Sequence, residues 1–318
     1  MTVKSEFLPG SVGRKLAPFA LPIAISFIVI IFSIAQPAFL NPDNLVGIVR
    51  QMTLVGIMAI AMTFVIMTGG VDLSVGPVLA LSGLVSFYAL DAGLPLPIVV
   101  LAGLAVGIAV GLANGALIAF LGLPPIIVTL AMLSMVRGVA LILGGPELHL
   151  IRGQAAYTFI GTGSIFGLPF SVCIFVVAAL LLIFIQYRTA LGLLVAAIGE
   201  NERASYLSGH PVRIIKTALY ALSGLGAALA GIIQSSQVHT AAATYGEFGT
   251  ELDVIASVVL GGTSLMGGSG SIARTLMGVL FLGVINNGMN ILNVPLDVQL
   301  IAKGIIIVLS LALSELKD

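Results

Sequence analysis

Charge is the scarcest property of this chain. Only 8% of its 318 residues are Asp, Glu, Lys or Arg, and the 13 basic and 13 acidic side chains cancel. A balance of zero leaves no electrostatic footprint for nucleic acid. Cysteine is nearly absent as well: Cys173 is the single one, which excludes a disulfide framework, a thiolate metal cluster or a redox pair within one chain. The three histidines, His149, His210 and His239, are scattered and no H-E-x-x-H occurs, so the commonest zinc hydrolase pattern is missing and no metal site is expected. There is no G-x-x-x-x-G-K-[S/T] to cradle nucleotide phosphates. Ser269 stands in G-G-S-G-S rather than G-x-S-x-G, and the weak serine-nucleophile signal fails with it. An intramembrane enzyme would require a nucleophile or metal constellation that the sequence does not offer. Paired carboxylates and basic ladders, expected of a proton pump or voltage sensor, are not found in the apolar segments.

What is present is hydrocarbon. Hydrophobic residues make up 59% of the chain and mean hydropathy is +1.19, far outside soluble usage. In lipid only helices or closed barrels satisfy the backbone, and long apolar runs without dyad alternation choose helices. The expectation is an all-α, polytopic membrane protein forming one transmembrane domain over 1–318. With about 20 apolar residues per span, segments fall near 17–36, 45–68, 75–91, 96–121, 126–144, 167–187, 214–235, 250–266, 272–292 and 297–314. That gives about ten, of which the third and eighth are short, border glycine-rich breaks, and are candidates for broken or re-entrant helices. Residues 1–16 carry Lys4, Arg14 and Lys15 without a small-residue cleavage site and read as the cytoplasmic start of a retained anchor. An N-in, C-in arrangement puts those residues with Arg188, Arg203, Arg213, Lys216, Arg274 and Lys317 in or beside cytoplasmic segments, leaving Arg50 and Arg152 near the outside. Arg137 and Lys303 fall within or near the ends of spans; snorkelling to a headgroup is the expectation, and a buried ionic partner the alternative.

Gly103, Gly107, Gly111 and Gly115 form a smooth strip for close helix approach. Asn114 beside it suits either interhelical hydrogen bonding or a polar pathway. Leu123-Pro124-Pro125 predicts a rigid turn. The 144–167 connection, with Glu147, His149, Arg152, Gln154 and Tyr157, is the largest external one; it reads as a short surface helix with a docking face or as a solvated loop. Two breaks share G-G-x-[D/S]-L-x-x-G, at 69–76 and 261–268, and suggest internal duplication with a site at the repeat interface. Asp72 in the first is placed to cap the following helix through backbone N–H groups. The amide and hydroxyl inventory of the spans, Gln51, Thr63, Asn114, Thr129, Ser134, Asn286, Asn287 and Asn290, suits a neutral, hydroxyl-rich solute better than an ion.

The longest water-facing interruption is 188–213, centred on Gly199–Gly209. Asn201 can cap a helix of about two turns, Glu202 complements its dipole, Ala204 and Leu207 share a face, and Gly209 followed by Pro211 ends it. So short a helix binds lipid poorly, and docking on a protein is its better use.

A-I-G-E-N-E-R-A-S-Y-L-S-G at 197–209, G-G-V-D-L-S-V-G at 69–76, E-L-D-V-I-A-S-V-V-L-G-G-T-S-L-M-G-G-S-G at 251–270 and N-N-G-M-N at 286–290 resemble, in order and spacing, the permease subunits of ribose-type bacterial sugar ABC importers. The resemblance covers essentially the whole chain. It implies a ten-span inner-membrane permease, not itself an enzyme, that pairs with a second permease copy, identical or homologous. It further implies a periplasmic sugar-binding protein as donor, docking near Glu147 and Arg152, and a cytoplasmic ABC ATPase carrying the ATP and Mg, with no cofactor in this chain. Gly199, Glu200, Asn201, Arg203, Ala204, Leu207 and Gly209 would form the coupling helix against the ATPase. Glu200 departs from the family, which more often has a second glycine there, and adds a charge at that contact. Gln51, Asn114, Asn286, Asn287 and Asn290 are the expected substrate pathway, with helix–helix hydrogen bonding an equal reading for any one of Asn286, Asn287 and Asn290. Motifs shared by permeases for ribose, arabinose, xylose, galactose, nucleosides and a sugar-derived autoinducer do not choose the solute. An ATPase-independent secondary transporter or channel for a small neutral solute is the alternative, disfavoured by the lack of ion-pair networks in the spans.

Overall fold

The computed structural model describes residues 20–247 and 249–315. Lys4, Arg14, Lys15 and Lys317, used above for orientation, lie outside the described residues, as does the whole N-terminal segment 1–16 together with the first residues of the first expected span. Helices dominate what is described: α1 (Ala20–Ala35), α2 (Pro42–Met67), α3 (Val75–Asp91), α4 (Leu96–Leu121), α5 (Pro125–Gly144), α6 (Ala155–Thr162), α7 (Phe170–Arg188), α8 (Ala190–Glu200), α9 (Glu202–Leu207), α10 (Val212–Val238), α11 (Thr250–Leu260), α12 (Ile272–Ile291) and α13 (Leu296–Glu315). The only strands among them are two-residue pairs, of which His149–Leu150 lies antiparallel to Thr240–Ala241. Helices α2, α4, α5, α7, α10 and α12 are long and apolar enough to cross a membrane. The chain is an all-helical, multi-pass membrane protein.

Close backbone approach organises the core around α10. A Cβ added to Gly107 would lie 2.0 Å from the carbonyl oxygen of Gly224, and one on Gly111 would lie 2.2 Å from that of Tyr220. Gly103 and Gly115 continue the contact toward Ile232 and Thr217. From Gly107 to Gly115 the strip of α4 therefore meets α10 main chain to main chain, while Gly103 packs on the Ile232 side chain, with dispersion and interhelical fit replacing the hydrophobic drive that lipid cannot supply. On another face of α10, Gly231 meets the carbonyl of Leu79 on α3 in the same way.

The short third and eighth segments are short because glycine stops them. After α2 the chain turns at Gly69, φ +73°, and α3 starts only at Val75. Asp72 in this turn is fully buried. Its Oδ1 accepts from the Ser74 N–H at 3.0 Å and the Ser74 hydroxyl at 2.6 Å, closing a turn on the residue before α3 rather than capping the helix N–H groups as expected. Asn114 donates to the Ser74 Oγ at 2.9 Å, tying α4 to the turn. Helix α11 ends at Leu260, earlier than the expected 266, because Gly261 packs on the Arg274 backbone and Gly262 takes φ +79°.

Two expectations are corrected. Lys303 does not snorkel: its Nζ lies 2.7 Å from Asp253 Oδ2, with the two side chains only 16% and 14% exposed. Arg137 is also held internally, donating to the carbonyls of Ala243, Tyr245 at 2.9 Å and Gly246 at 3.1 Å. Both satisfy groups that have no helical partner: a carboxylate in the first turn of α11, and the carbonyls of the turn that follows α10. The 144–167 connection does contain a helix, α6, but one face of it is core. Tyr157 is 1% exposed and its hydroxyl pairs with Ser235 at 2.7 Å, while Gly161 N–H donates to Ser236 Oγ at 2.7 Å. Glu147 and Arg152 are exposed at its start.

Candidate functional site: a glycine junction and a polar membrane face

The polar interruption folds as expected. Asn201 Oδ1 accepts from Ala204 N–H at 2.9 Å, so the six residues of α9 are capped, and Gly209, φ +85°, closes the segment. Glu202 does more than face the helix dipole: it pairs with Lys216 of α10 at 2.9 Å. Arg213 stands over the Tyr206 ring, 5.9 Å from its centroid. Glu200, Arg203 and Ala204 are exposed, Leu207 is 75% and Tyr206 56% exposed. Helix α9 is thus fastened on one side and presents Leu207 to the outside on the other.

Its neighbour α8 reaches the two glycine breaks. Gly199 packs so closely that a Cβ would lie 1.9 Å from the carbonyl oxygen of Met67 and 2.3 Å from the Gly268 nitrogen. Gly267 and Gly268, at φ +89° and +81°, bring the second break back onto the first. The Gly268 N–H donates to Met67 O at 3.0 Å. Gln186 at the end of α7 bridges the same region: its Nε2 donates to Gly270 O at 3.0 Å and its Oε1 accepts from Ile272 N–H at 2.9 Å. Tyr187 pairs with Ser271 Oγ at 2.8 Å. The two similar breaks therefore meet at one point, with Gly199 of α8 seated on it. The Glu200 side-chain stem lies against Gly268.

A second polar region lies on the opposite ends of α2 and α12. The exposed surfaces of α4, α5 and α7 are apolar at positions such as Leu101, Ile142 and Val177. Gln51 is instead an exposed amide on α2. It shares a cavity of about 40 Å³ with Met52, Asp253, Gly283 and Asn286. Asn286 Oδ1 is buried here without a protein partner, as is Nε of Arg50, the residue before Gln51 on α2. The other expected pathway amides are engaged elsewhere. Asn287 and Asn44 exchange two hydrogen bonds at 2.9 and 3.0 Å, Asn290 Oδ1 accepts from Gln299 at 2.9 Å, and Asn114 is fully buried beside Asp72.

This architecture has a counterpart among known sequences. A family described as branched-chain amino acid transport system / permease component matches residues 44–311. The chain belongs to that permease family. The permease is 40% identical to the ribose import permease protein of Bacillus subtilis over 96% of its own length and 94% of the relative's. It is 39% identical to the ribose import permease protein of Escherichia coli K12, covering 93% of each chain. It is also 36% identical to the L-arabinose ABC transporter permease protein of Azospirillum brasilense, over 89% of this chain and 83% of that one. No solved structure matches it. The resemblance to ribose-type permeases drawn from four motifs is borne out, and the family is a transport component rather than an enzyme.

Asp253, Asn44 and Gln186 were not singled out from the sequence, and Lys303 and Arg50 were noted only as charges without a place in a site. Lys303 was visible as a charge out of place, but its partner lies 50 residues away, and no local pattern joins them. The pair with Asp253 is the buried ionic partner that stood as the alternative to snorkelling for Lys303.

Proposed function

We propose that the permease is the membrane subunit of an ABC importer for a monosaccharide, ribose or a related sugar. The observation that carries this reading is its likeness, over nearly the whole chain, to permeases named for ribose and arabinose. The sugar is delivered by a periplasmic binding protein, which docks on the side bearing Glu147 and Arg152. ATP and Mg act on a separate ATPase subunit, and this chain carries no cofactor. The protein lies in the bacterial inner membrane as a single domain of ten spans with both termini inside, 144–167 outside and 188–213 inside, and pairs with a second permease copy.

The ATPase receives α9 through Ala204, Leu207 and Arg203, with Glu200 adding a charge at the rim. Asn201 and Gly209 fix the shape of the element, and Gly199 passes its displacement to both glycine breaks. Nucleotide shifts the inward and outward populations only through contacts that differ between them, and a capped, ion-paired α9 is rigid enough to make that difference. Of the expected pathway residues, Gln51 and Asn286 line the polar cavity and are assigned to solute; Asn114, Asn287 and Asn290 hold helices together.

The Asp253–Lys303 pair gives the secondary-transporter alternative one feature it would need. A single assay decides between them. Proteoliposomes containing the permease, its ATPase and its binding protein should take up labelled D-ribose, D-xylose or L-arabinose only with internal ATP. Uptake by the permease alone without ATP would overturn the proposal.

A further inference from the structure

We infer that the Asp253–Lys303 ion pair, with Gln51 and Asn286 beside it, forms a binding site for a neutral polyhydroxyl solute within the membrane. The inference rests on the transport reading above and names the site of solute contact.

Position comes first. Gln51 lies nine residues, about 13 Å, from the start of α2, and Lys303 seven residues, about 10 Å, from the start of α13. Asn286 is five residues from the end of α12, and Asp253 stands in the first turn of α11. Gln51, Asp253 and Asn286 line one cavity and Lys303 pairs with Asp253, so the four sit together on the side of the bundle opposite α9. In the proposed orientation that is the outer half of the membrane, where a solute released from outside arrives first.

Chemistry comes second. An amide exposed on a lipid face leaves its polar groups without partners; the outward surfaces of α4, α5 and α7 carry none at the positions given above, so Gln51 marks a face turned to something polar. A salt bridge out of water is weak evidence of stability, because desolvating two charges offsets their attraction. It is well suited to a hydroxyl. Asp253 Oδ2 receives Lys303, leaving Oδ1 to accept a hydroxyl proton, and the ammonium retains donors for a hydroxyl oxygen. Such bonds are charge-assisted, yet the pair as a whole is neutral and gives an ion no net attraction. The unpartnered Asn286 Oδ1 adds an acceptor.

Size comes third. The cavity of about 40 Å³ admits water and excludes a sugar, so this conformation holds the site closed. Its wall is a flexible one: a Cβ on Gly283 would lie 2.3 Å from Met52 Cγ, and methionine repacks readily to admit a ligand.

The test uses the single cysteine. In the complete importer, Gln51→Cys on a Cys173→Ser background is labelled with a membrane-impermeant thiol reagent during ATP-driven turnover, with D-ribose, D-xylose or L-arabinose present or omitted. A transported sugar should slow labelling, and adding Asp253→Asn or Lys303→Gln should raise the sugar concentration for half-protection about tenfold, the effect of one hydrogen bond to a charged group. Asn286→Ala, which leaves the ion pair intact, should raise it as well and serves if the charge variants fail to insert. Undiminished labelling while the importer transports the sugar, or protection unchanged in Asn286→Ala, would overturn the site and leave the pair as a helix latch. Absence of ATP-driven uptake of all three sugars would instead overturn the transport reading.

Discussion

Gly268 donates its backbone N–H to the carbonyl oxygen of Met67 at 3.0 Å. Two breaks almost two hundred residues apart are thereby joined by a main-chain bond, beside which Gly199 of α8 contacts both partners. A side chain at 199 has nowhere to go, because its neighbours are backbone atoms rather than movable side-chain ends.

Gly199→Ala should therefore separate docking from transport. The ATPase should co-purify at normal yield, since Leu207 is untouched, while sugar moved per ATP hydrolysed falls about tenfold, equivalent to a distortion of 1–3 kcal/mol at an overpacked contact. Normal coupling in reconstituted importer would show that the junction does not transmit motion.

Leu207→Glu tests the other end of the same element. The side chain is 75% exposed and makes no part of the core, so insertion and stability should be unchanged, whereas a carboxylate placed in an apolar contact should cost association about 2 kcal/mol or more. ATPase recovered with the variant at wild-type yield would count against α9 as the docking helix.

Asn201→Ala removes the acceptor of the Ala204 N–H. Loss of an N-cap costs about 1 kcal/mol, and in a helix of six residues that loosens the whole element. The expected result is reduced ATP-driven uptake with unchanged membrane yield; Asn201→Ser should retain most of it.

Asn287→Leu takes from the half-buried Asn44 its amide partner and leaves it only the Phe39 carbonyl. Thermal stability in detergent should fall by about 1–3 kcal/mol, and Asn44→Leu added to it should recover much of the loss, because removing both polar groups is milder than orphaning one. A change confined to transport kinetics, with stability intact, would return Asn287 to the pathway.

The elements that repeat a simple rule were legible in the sequence. Glycines at every fourth position from 103 to 115 announced a close helix contact, and Asn201, Gly209 and Pro211 announced the boundaries of α9, because these are local steric and hydrogen-bonding demands. The likeness of 69–76 to 261–268 was visible too, but not that they touch. That contact depends on positive-φ turns at Gly267 and Gly268 and on where α8 returns, which no short window encodes. The partners of Lys303 and Arg137 were hidden for the same reason: the sequence marks a buried charge as costly without saying which distant carboxylate or carbonyls relieve it. Asn287 and Asn290 looked like pathway residues because an amide in an apolar run has the same appearance whether it meets solute or another amide.

The contact of Gly107 with Gly224 has a mechanical side. With no side chain between them, α4 and α10 cannot roll or slide past one another without main chain striking main chain. The pair forms a stator running the thickness of the membrane. Whatever moves during a cycle, α11 or the last helix, must move relative to this fixed spine, so the slowest-exchanging amides of the molecule should map onto it.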